Sequence, residues 1–249
     1  HAEREAFKNA AERGEETAGA DLYVTLEPCC HTGKQPPCTE AVLASGVKRV
    51  IVGCTDPNPV VAGRGIRLLR EKGLEVVAGV LRGECERQNE VFFHFMRTKL
   101  PFTVLKYAMT LDGKTATVSG KSQWITGEAA RKRVHEDRGR YMAILTGVST
   151  VLADNPQLTC RIPGGKNPIR VIADTKLRTP LSSTVVQSAR ETPTWIVTAV
   201  SDTGRKKAYE DAGCRVLSVP AKEGELDLQA MMQRLGEEKV DSVMVESGG

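Results

Sequence analysis

Two successive α/β units, each a layered and mostly parallel sheet, are what the sequence predicts. Three observations carry the expectation. Short β-rich runs alternate with segments of helical apolar spacing along the chain. The 249 residues exceed what one compact domain usually needs. A charged helical stretch ending in Phe92, Phe93 and Phe95 is cut by Pro101, and a second strand–helix series follows. The boundary is therefore expected between units 1–100 and 101–249.

The elements follow in order. Ala6, Phe7, Ala10 and Ala11 recur at helical spacing, which predicts a helix over 3–18 stopped by Gly19. Residues 22–26 read as a strand, and Pro and Gly make 27–38 a loop. A helix over 39–45, a strand over 47–54, a turn at 56–59, a helix over 65–72, a strand over 74–80 and a helix over 83–99 complete the first unit. In the second, strands are expected at 102–108, 142–147, 169–174, 195–199, 215–219 and 240–245. Helices are expected at 128–138, 205–212 and 227–237. No repeat, low-complexity tract or heptad pattern is present.

Composition narrows the class. Apolar residues make up 40% and charged residues 27%, as in ordinary globular proteins. No apolar run approaches the ~18 residues of a membrane-spanning helix. A balance of 35 basic against 31 acidic residues is too weak to argue for nucleic acid but suits phosphorylated substrates. Seven cysteines in a chain able to build its own core favour a reduced, cytoplasmic setting with metal or buried thiols over disulfides. The chain opens at His1 without a Met and closes on Ser247-Gly248-Gly249 after an expected strand, which suggests an internal piece of a longer protein.

The sharpest signal is His1-x-Glu3 with Pro28-Cys29 and Cys38. One imidazole and two thiolates suit Zn²⁺ and leave a fourth tetrahedral position for water, whose pKa the ion lowers toward ~7. Glu3, two residues from His1, is placed to shuttle a proton. The arrangement is the known signature of zinc nucleobase deaminases. Its departure is the interval: Cys38 follows Cys29 by nine positions, and Cys30 and His31 intervene. Cys29 is preferred because it follows Pro28, and Cys38 because it opens the next helix, where dipole and free N–H groups favour a thiolate. A closed knuckle using His1 or His31 with Cys29, Cys30 and Cys38 is the alternative. Cys54, Cys85, Cys160 and Cys214 read as scattered thiols.

Several motifs together resemble the bifunctional deaminase–reductase family of riboflavin biosynthesis. They are Thr25-Leu26-Glu27-Pro28-Cys29, Gly33-Lys34-x-Pro36-Pro37-Cys38, Asp56-Pro57-Asn58-Pro59 and Gly63-Arg64-Gly65 in the first unit. In the second they are Leu111-Asp112-Gly113-Lys114, Ser122-Gln123-Trp124-Ile125-Thr126, 150–156 and Val245-Glu246-x-Gly248. The resemblance implies a cytidine-deaminase-like three-layer domain over 1–100 and a dihydrofolate-reductase-like α/β domain over 101–249, each lacking its outer end. It implies hydrolytic deamination of a diaminopyrimidinone carrying a phosphoribosylamino group, then NADPH-dependent reduction of the ribosyl ring to ribityl.

By the same resemblance His1, Cys29 and Cys38 hold one Zn²⁺ per chain and Glu3 is catalytic. His31, Lys34, Asp56 and Asn58 meet the deaminase substrate, Lys34 as a point charge for phosphate. Ala108, Trp124, Thr150, Asp154, Thr175 and Gly248 meet NADPH. Ser122, Arg138, Leu158, Arg161 and Glu246 meet the reductase substrate, the two arginines as a phosphate clamp. Without the resemblance the second unit is an α/β domain of unassigned purpose. It has no G-x-G-x-x-G, so a Rossmann-type cofactor site is not expected. The implied partners are a small phosphoribosylated pyrimidine and further copies of the chain. Two other readings stay open: a zinc deaminase acting on a nucleoside or RNA base, and a zinc-stabilised fragment without catalysis. Aromatic content of 4% offers few platforms for splayed bases.

Overall fold

The computed structural model describes residues 1–33, 35–122 and 124–246, and the chain divides into two units, His1–Arg97 and Thr98–Gly249. In the first, β1 (Asp21–Leu26), β2 (Arg49–Cys54) and β3 (Glu75–Ala78) form a parallel sheet in that order. β2 lies in the middle, and five of its six residues are buried. It therefore reads as a continuous apolar run rather than an alternating one. Val50 and Val52 join Val42, Ile66, Leu69 and Val76 in the core, bringing in helices α2 (Cys38–Ala44) and α3 (Arg64–Glu71).

Helix α1 (Ala2–Glu12) stops six residues short of the expected end. Gly14 takes φ +69°, and the following segment docks as a loop on the end of α2. There Thr17 Oγ1 donates to the Ser45 carbonyl and Gly19 N–H to that of Gly46. The helix expected over 83–99 is two helices, α4 (Arg82–Gln88) and α5 (Glu90–Thr98). Asn89 interrupts them at φ −105°, ψ 20°, with its side-chain amide donating to the Cys85 carbonyl at 2.8 Å. This is the usual competition of an Asn side chain with helical backbone.

The second unit holds β4 (Phe102–Lys106), α6 (Glu128–Arg140), β5 (Ala143–Gly147), α7 (Val148–Asp154), β6 (Ile169–Ala173), α8 (Thr184–Gln187), β7 (Thr194–Thr198), α9 (Thr203–Asp211) and β8 (Arg215–Ser218). A small antiparallel hairpin, β9 (Ala221–Lys222) with β10 (Glu225–Leu226), precedes α10 (Leu228–Glu237) and β11 (Ser242–Glu246). Six strands pair in parallel in the order β4-β11-β5-β6-β7-β8, so the last strand inserts beside the first. One face packs Ile144, Ile172, Ile196 and Met244 against Val148, Val185 and Tyr209. The other packs Ala143, Leu145, Val171, Val197 and Val243 against Met231 and Leu235 of α10. Helices α7 and α8 and the hairpin are too short for a periodic signal and were not expected.

Arg170, on β6, is fully buried, and no carboxylate among the described residues pairs with it. Its Nη1 donates to Gln157 O and Ser188 Oγ, and its Nη2 to the carbonyls of Val185, Ser188 and Thr192. Five oxygens thus disperse the charge, while burial pulls its pKa down to about 10.

Candidate active sites

In the first unit, His1 is the N-cap of α1 and Cys38 the first residue of α2. Arg4 fixes the approach of the two: Nε donates to Pro36 O at 3.2 Å and Nη2 to Pro37 O at 2.8 Å. Cys29, three residues beyond β1, receives the Cys38 N–H on its sulfur at 3.3 Å, and its carbonyl accepts from Thr39 N–H. His1 Nδ1 then lies 3.0 Å from Cys38 Sγ and 3.4 Å from Cys29 Sγ. All three donor atoms fall within 4.8 Å of one another, and among the described residues no further His, Cys, Asp or Glu joins them. One imidazole and two thiols, with no fourth protein donor among the described residues, fit a catalytic zinc site. Cys30 and His31 lie outside the cluster.

Glu3, half-buried on the first turn of α1, lies close enough to Cys38 to raise the pKa of its thiol, without entering the ligand set. Burial pushes the Cys38 thiol up to about 12, and the neighbouring Glu3 and Cys29 add to the shift. With the metal absent this thiol keeps its proton at neutral pH, and binding a cation must displace it.

Asp56 and Asn58 follow β2. Asp56 is buried; its Oδ1 accepts the Asn58 N–H at 2.8 Å, and Asn58 Oδ1 accepts that of Val60 at 3.1 Å. Burial raises the Asp56 pKa, and the Asn58 N–H opposes the rise; Glu27 reinforces it, while His31 acts against it. His31 Nδ1 is buried and has no hydrogen-bond partner among the described residues. Lys34 lies outside the described residues.

Sequence reasoning missed Glu27 as a site residue. Its carboxylate is buried and accepts the N–H groups of Asp56 (3.1 Å), Gly63 (2.8 Å) and Ile66 (3.1 Å). A Cβ on Gly65 would stand 2.1 Å from the Pro28 carbonyl oxygen, so α3 approaches the cysteine loop as only glycine allows. The signal was the Glu-Pro-Cys tripeptide itself, in which a carboxylate directly precedes a metal loop.

In the second unit four of the expected residues lie at or just beyond the carboxyl ends of parallel strands, where open α/β sheets bind ligands. Ala108 follows β4, Thr150 lies on α7 after β5, Thr175 follows β6, and Glu246 ends β11. Arg138 meets Glu246 in a two-pronged pair, Nε to Oε1 and Nη2 to Oε2, both 2.8 Å, and its Nη1 donates to Thr159 O. Lys106, in register with Glu246 on the adjacent strand, brings Nζ to 3.9 Å from Oε2. Lys106 was not anticipated; its strand position carried no motif.

The two expected clamp arginines are not a free pair. Arg138 is filled by Glu246, whereas Arg161 is exposed and reaches Gln157 Oε1 at 3.4 Å. Between them His135 accepts the Arg161 N–H, and burial followed by both arginines holds its pKa below the ordinary histidine range. Leu158 is in the core at φ +54°, so only its backbone can reach a ligand. Thr175 Oγ1 donates to Glu225 Oε2 and accepts from Leu226 N–H, tying the β9–β10 hairpin down. Trp124 is exposed beneath the Arg131 guanidinium, 4.6 Å from its ring centroid. Ser122 is half-buried, Asp154 is exposed at the end of α7, and Gly248 lies outside the described residues.

Comparison with known proteins covers both units. Residues 1–54 match the cytidine and deoxycytidylate deaminase zinc-binding region, and residues 101–249 match the RibD C-terminal domain. The chain is 49% identical over 248 residues to riboflavin biosynthesis protein RibD of Actinobacillus pleuropneumoniae, covering 100% of this chain and 65% of that protein. It is 48% identical to RibD of Bacillus amyloliquefaciens, covering 66% of it, and 40% identical to that of Escherichia coli K12, covering 69%. A solved diaminohydroxyphosphoribosylaminopyrimidine deaminase/5-amino-6-(5-phosphoribosylamino)uracil reductase from Thermotoga maritima superposes with a TM-score of 0.84 at 41% identity, over 100% of this chain and 67% of that one. Acinetobacter baumannii RibD gives 0.85 at 36%, with the same coverage. The chain thus spans about two thirds of the length of these relatives. On these matches, made over its full length, the chain belongs to the RibD family of riboflavin biosynthesis proteins.

Proposed function

We propose that this chain carries both catalytic halves of a riboflavin-pathway enzyme, a zinc-dependent deaminase over 1–100 and an NADPH-dependent reductase over 101–249. The observation that supports this most directly is the cluster of His1, Cys29 and Cys38 with Glu3 against Cys38 and no fourth donor among the described residues. A zinc ion held there supplies Lewis-acid activation of water at neutral pH. Glu3 takes a proton from the attacking water and delivers it to the departing amino group, so that ammonia leaves and a carbonyl oxygen replaces it. His31, Asp56 and Asn58 bind and orient the pyrimidine. His31 Nδ1 gains its missing partner from the substrate, and Lys34 meets the phosphate.

In the second half bound NADPH would supply a hydride for the anomeric carbon of the ribosyl group, the C–O bond to the ring oxygen would break, and that oxygen would take up a proton to give the ribityl chain. Ala108, Trp124, Thr150, Asp154, Thr175 and Gly248 hold the cofactor. Ser122, the Leu158 backbone and Arg161 hold the substrate. Glu246, oriented by Arg138 and flanked by Lys106, offers a ribosyl hydroxyl an acceptor beside a cation. The substrate is a small phosphoribosylated pyrimidine, the working form is a homo-oligomer, and the setting is cytoplasmic. No helix among the described residues is long and apolar enough to cross a membrane.

Incubation of the zinc-loaded chain with the diaminopyrimidinone ribotide, with and without NADPH, tests the reading by product mass. Deamination alone is expected without NADPH, and deamination plus reduction with it. Return of the ribotide unchanged under both conditions would overturn it.

A further inference from the structure

Glu27 directly follows β1 and leads into the metal loop, its own N–H bonded to Cys54 O at 2.9 Å. Its side chain, 2% exposed, accepts three backbone N–H groups of the 56–66 segment, and both oxygens are used. The same segment carries Asp56 and Asn58, and Asp56 passes the constraint on through its own bond to Asn58 N–H. Two residues beyond Glu27 stands Cys29, while Gly65 presses against the carbonyl of the intervening Pro28.

We infer that Glu27 is a positioning residue for deamination, a carboxylate clasp that sets the span between the metal ligand Cys29 and the pyrimidine-contacting Asp56–Asn58 turn. The inference rests on the deaminase reading proposed above. A carboxylate is required because three donors converge on it. Glutamine in the same place can present its oxygen to Asp56 and Gly63, but its amide then faces the Ile66 N–H donor to donor. Aspartate keeps the charge yet falls one methylene short.

The test compares the zinc-loaded chain with Glu27→Gln and Glu27→Asp. Misplacing a substrate-contacting turn without touching the metal weakens ground-state and transition-state binding alike. Glu27→Gln is expected to raise KM for the ribotide about tenfold or more, with kcat within about threefold, at one zinc per chain. Glu27→Asp should recover part of the loss. Unchanged KM, or loss of zinc in place of a KM effect, would overturn the inference, the latter by making Glu27 a support of the metal loop alone. Amide hydrogen exchange on the unsubstituted protein is independent of activity and of whether the variants fold. The amides of Asp56, Gly63 and Ile66 should exchange as slowly as those of β2, and exchange at the rate of an exposed loop would refute the clasp. An inactive unsubstituted chain with slow amides would count against the deaminase reading and leave the clasp standing.

Discussion

Gly65→Ala turns the close approach beside Cys29 into a measurable quantity. Gly65 is the second residue of α3, and an alanine there gains about 1 kcal/mol of helix propensity over glycine. Its Cβ, however, would sit 2.1 Å from Pro28 O and 3.2 Å from Glu27 Oε1. The first neighbour is backbone and cannot rotate away. Overpacking of this kind costs about 3 kcal/mol at the upper end of its usual range, leaving a net loss of about 2 kcal/mol. For a unit of 97 residues that lowers the melting temperature by about 8–16 °C. Gly83 supplies a matched control, because it is the second residue of α4 and its added Cβ would meet nothing nearer than Arg87 Nη1 at 3.7 Å. Calorimetry of metal-free protein should show Gly83→Ala raising the first unit's transition slightly and Gly65→Ala lowering it. Chelator competition should show zinc held more weakly only in the latter. An upward shift for both would refute the reasoning.

Other outcomes follow from the same geometry. Glu3→Gln should keep one zinc per chain by metal analysis while deamination falls about 10²–10⁴-fold, and loss of the metal would make Glu3 a ligand. Because burial raises the Cys38 thiol from 9.0 to about 12, the unfolded chain gives up this proton first. The metal-free first unit should therefore lose stability as pH rises from 9.0 toward 12, seen as a falling urea midpoint. Zinc uptake should release protons and tighten with rising pH, readable by titration in buffers of different ionisation heat. Arg138→Met leaves Glu246 without its two-pronged partner and should destabilise the second unit by about 3 kcal/mol in urea. Adding Glu246→Leu should recover most of that, and a double variant weaker than the single one would show the pair to be worth less than supposed.

Alternation of apolar runs with helical spacing was enough to find every strand of both parallel sheets, because central strands buried on two faces are apolar throughout. Ends were less legible. The stop of α1 depended on Thr17 and Gly19 docking against α2, a contact with residues some 28 positions away. The break at Asn89 was set by a local side-chain bond that hydrophobic spacing does not register. At the metal cluster, residue type and the Pro-Cys pair pointed to the three donors that come together, although the nine-residue interval left Cys30 and His31 in contention. Glu27 and Lys106 escaped because one acts through backbone amides and the other through a neighbouring strand; neither relation leaves a pattern in the chain. The pairing of Arg138 with Glu246 was hidden for a similar reason: nothing in the order of residues says that the carboxylate meets that guanidinium.

The placement of β11 has a consequence for synthesis. Phe102 pairs with Ser242, 140 positions later, and Lys106 with Glu246. At ribosomal speeds of 5–20 residues per second, the first strand waits roughly 7–28 s for its neighbour. Until then β4 has no place in the sheet, and β5 shows a bare edge to the cell. The Lys106–Glu246 pair is thus born only once β11 has left the ribosome, so the first unit, whose strands pair within residues 21–78, can close its sheet well before β4 finds its place.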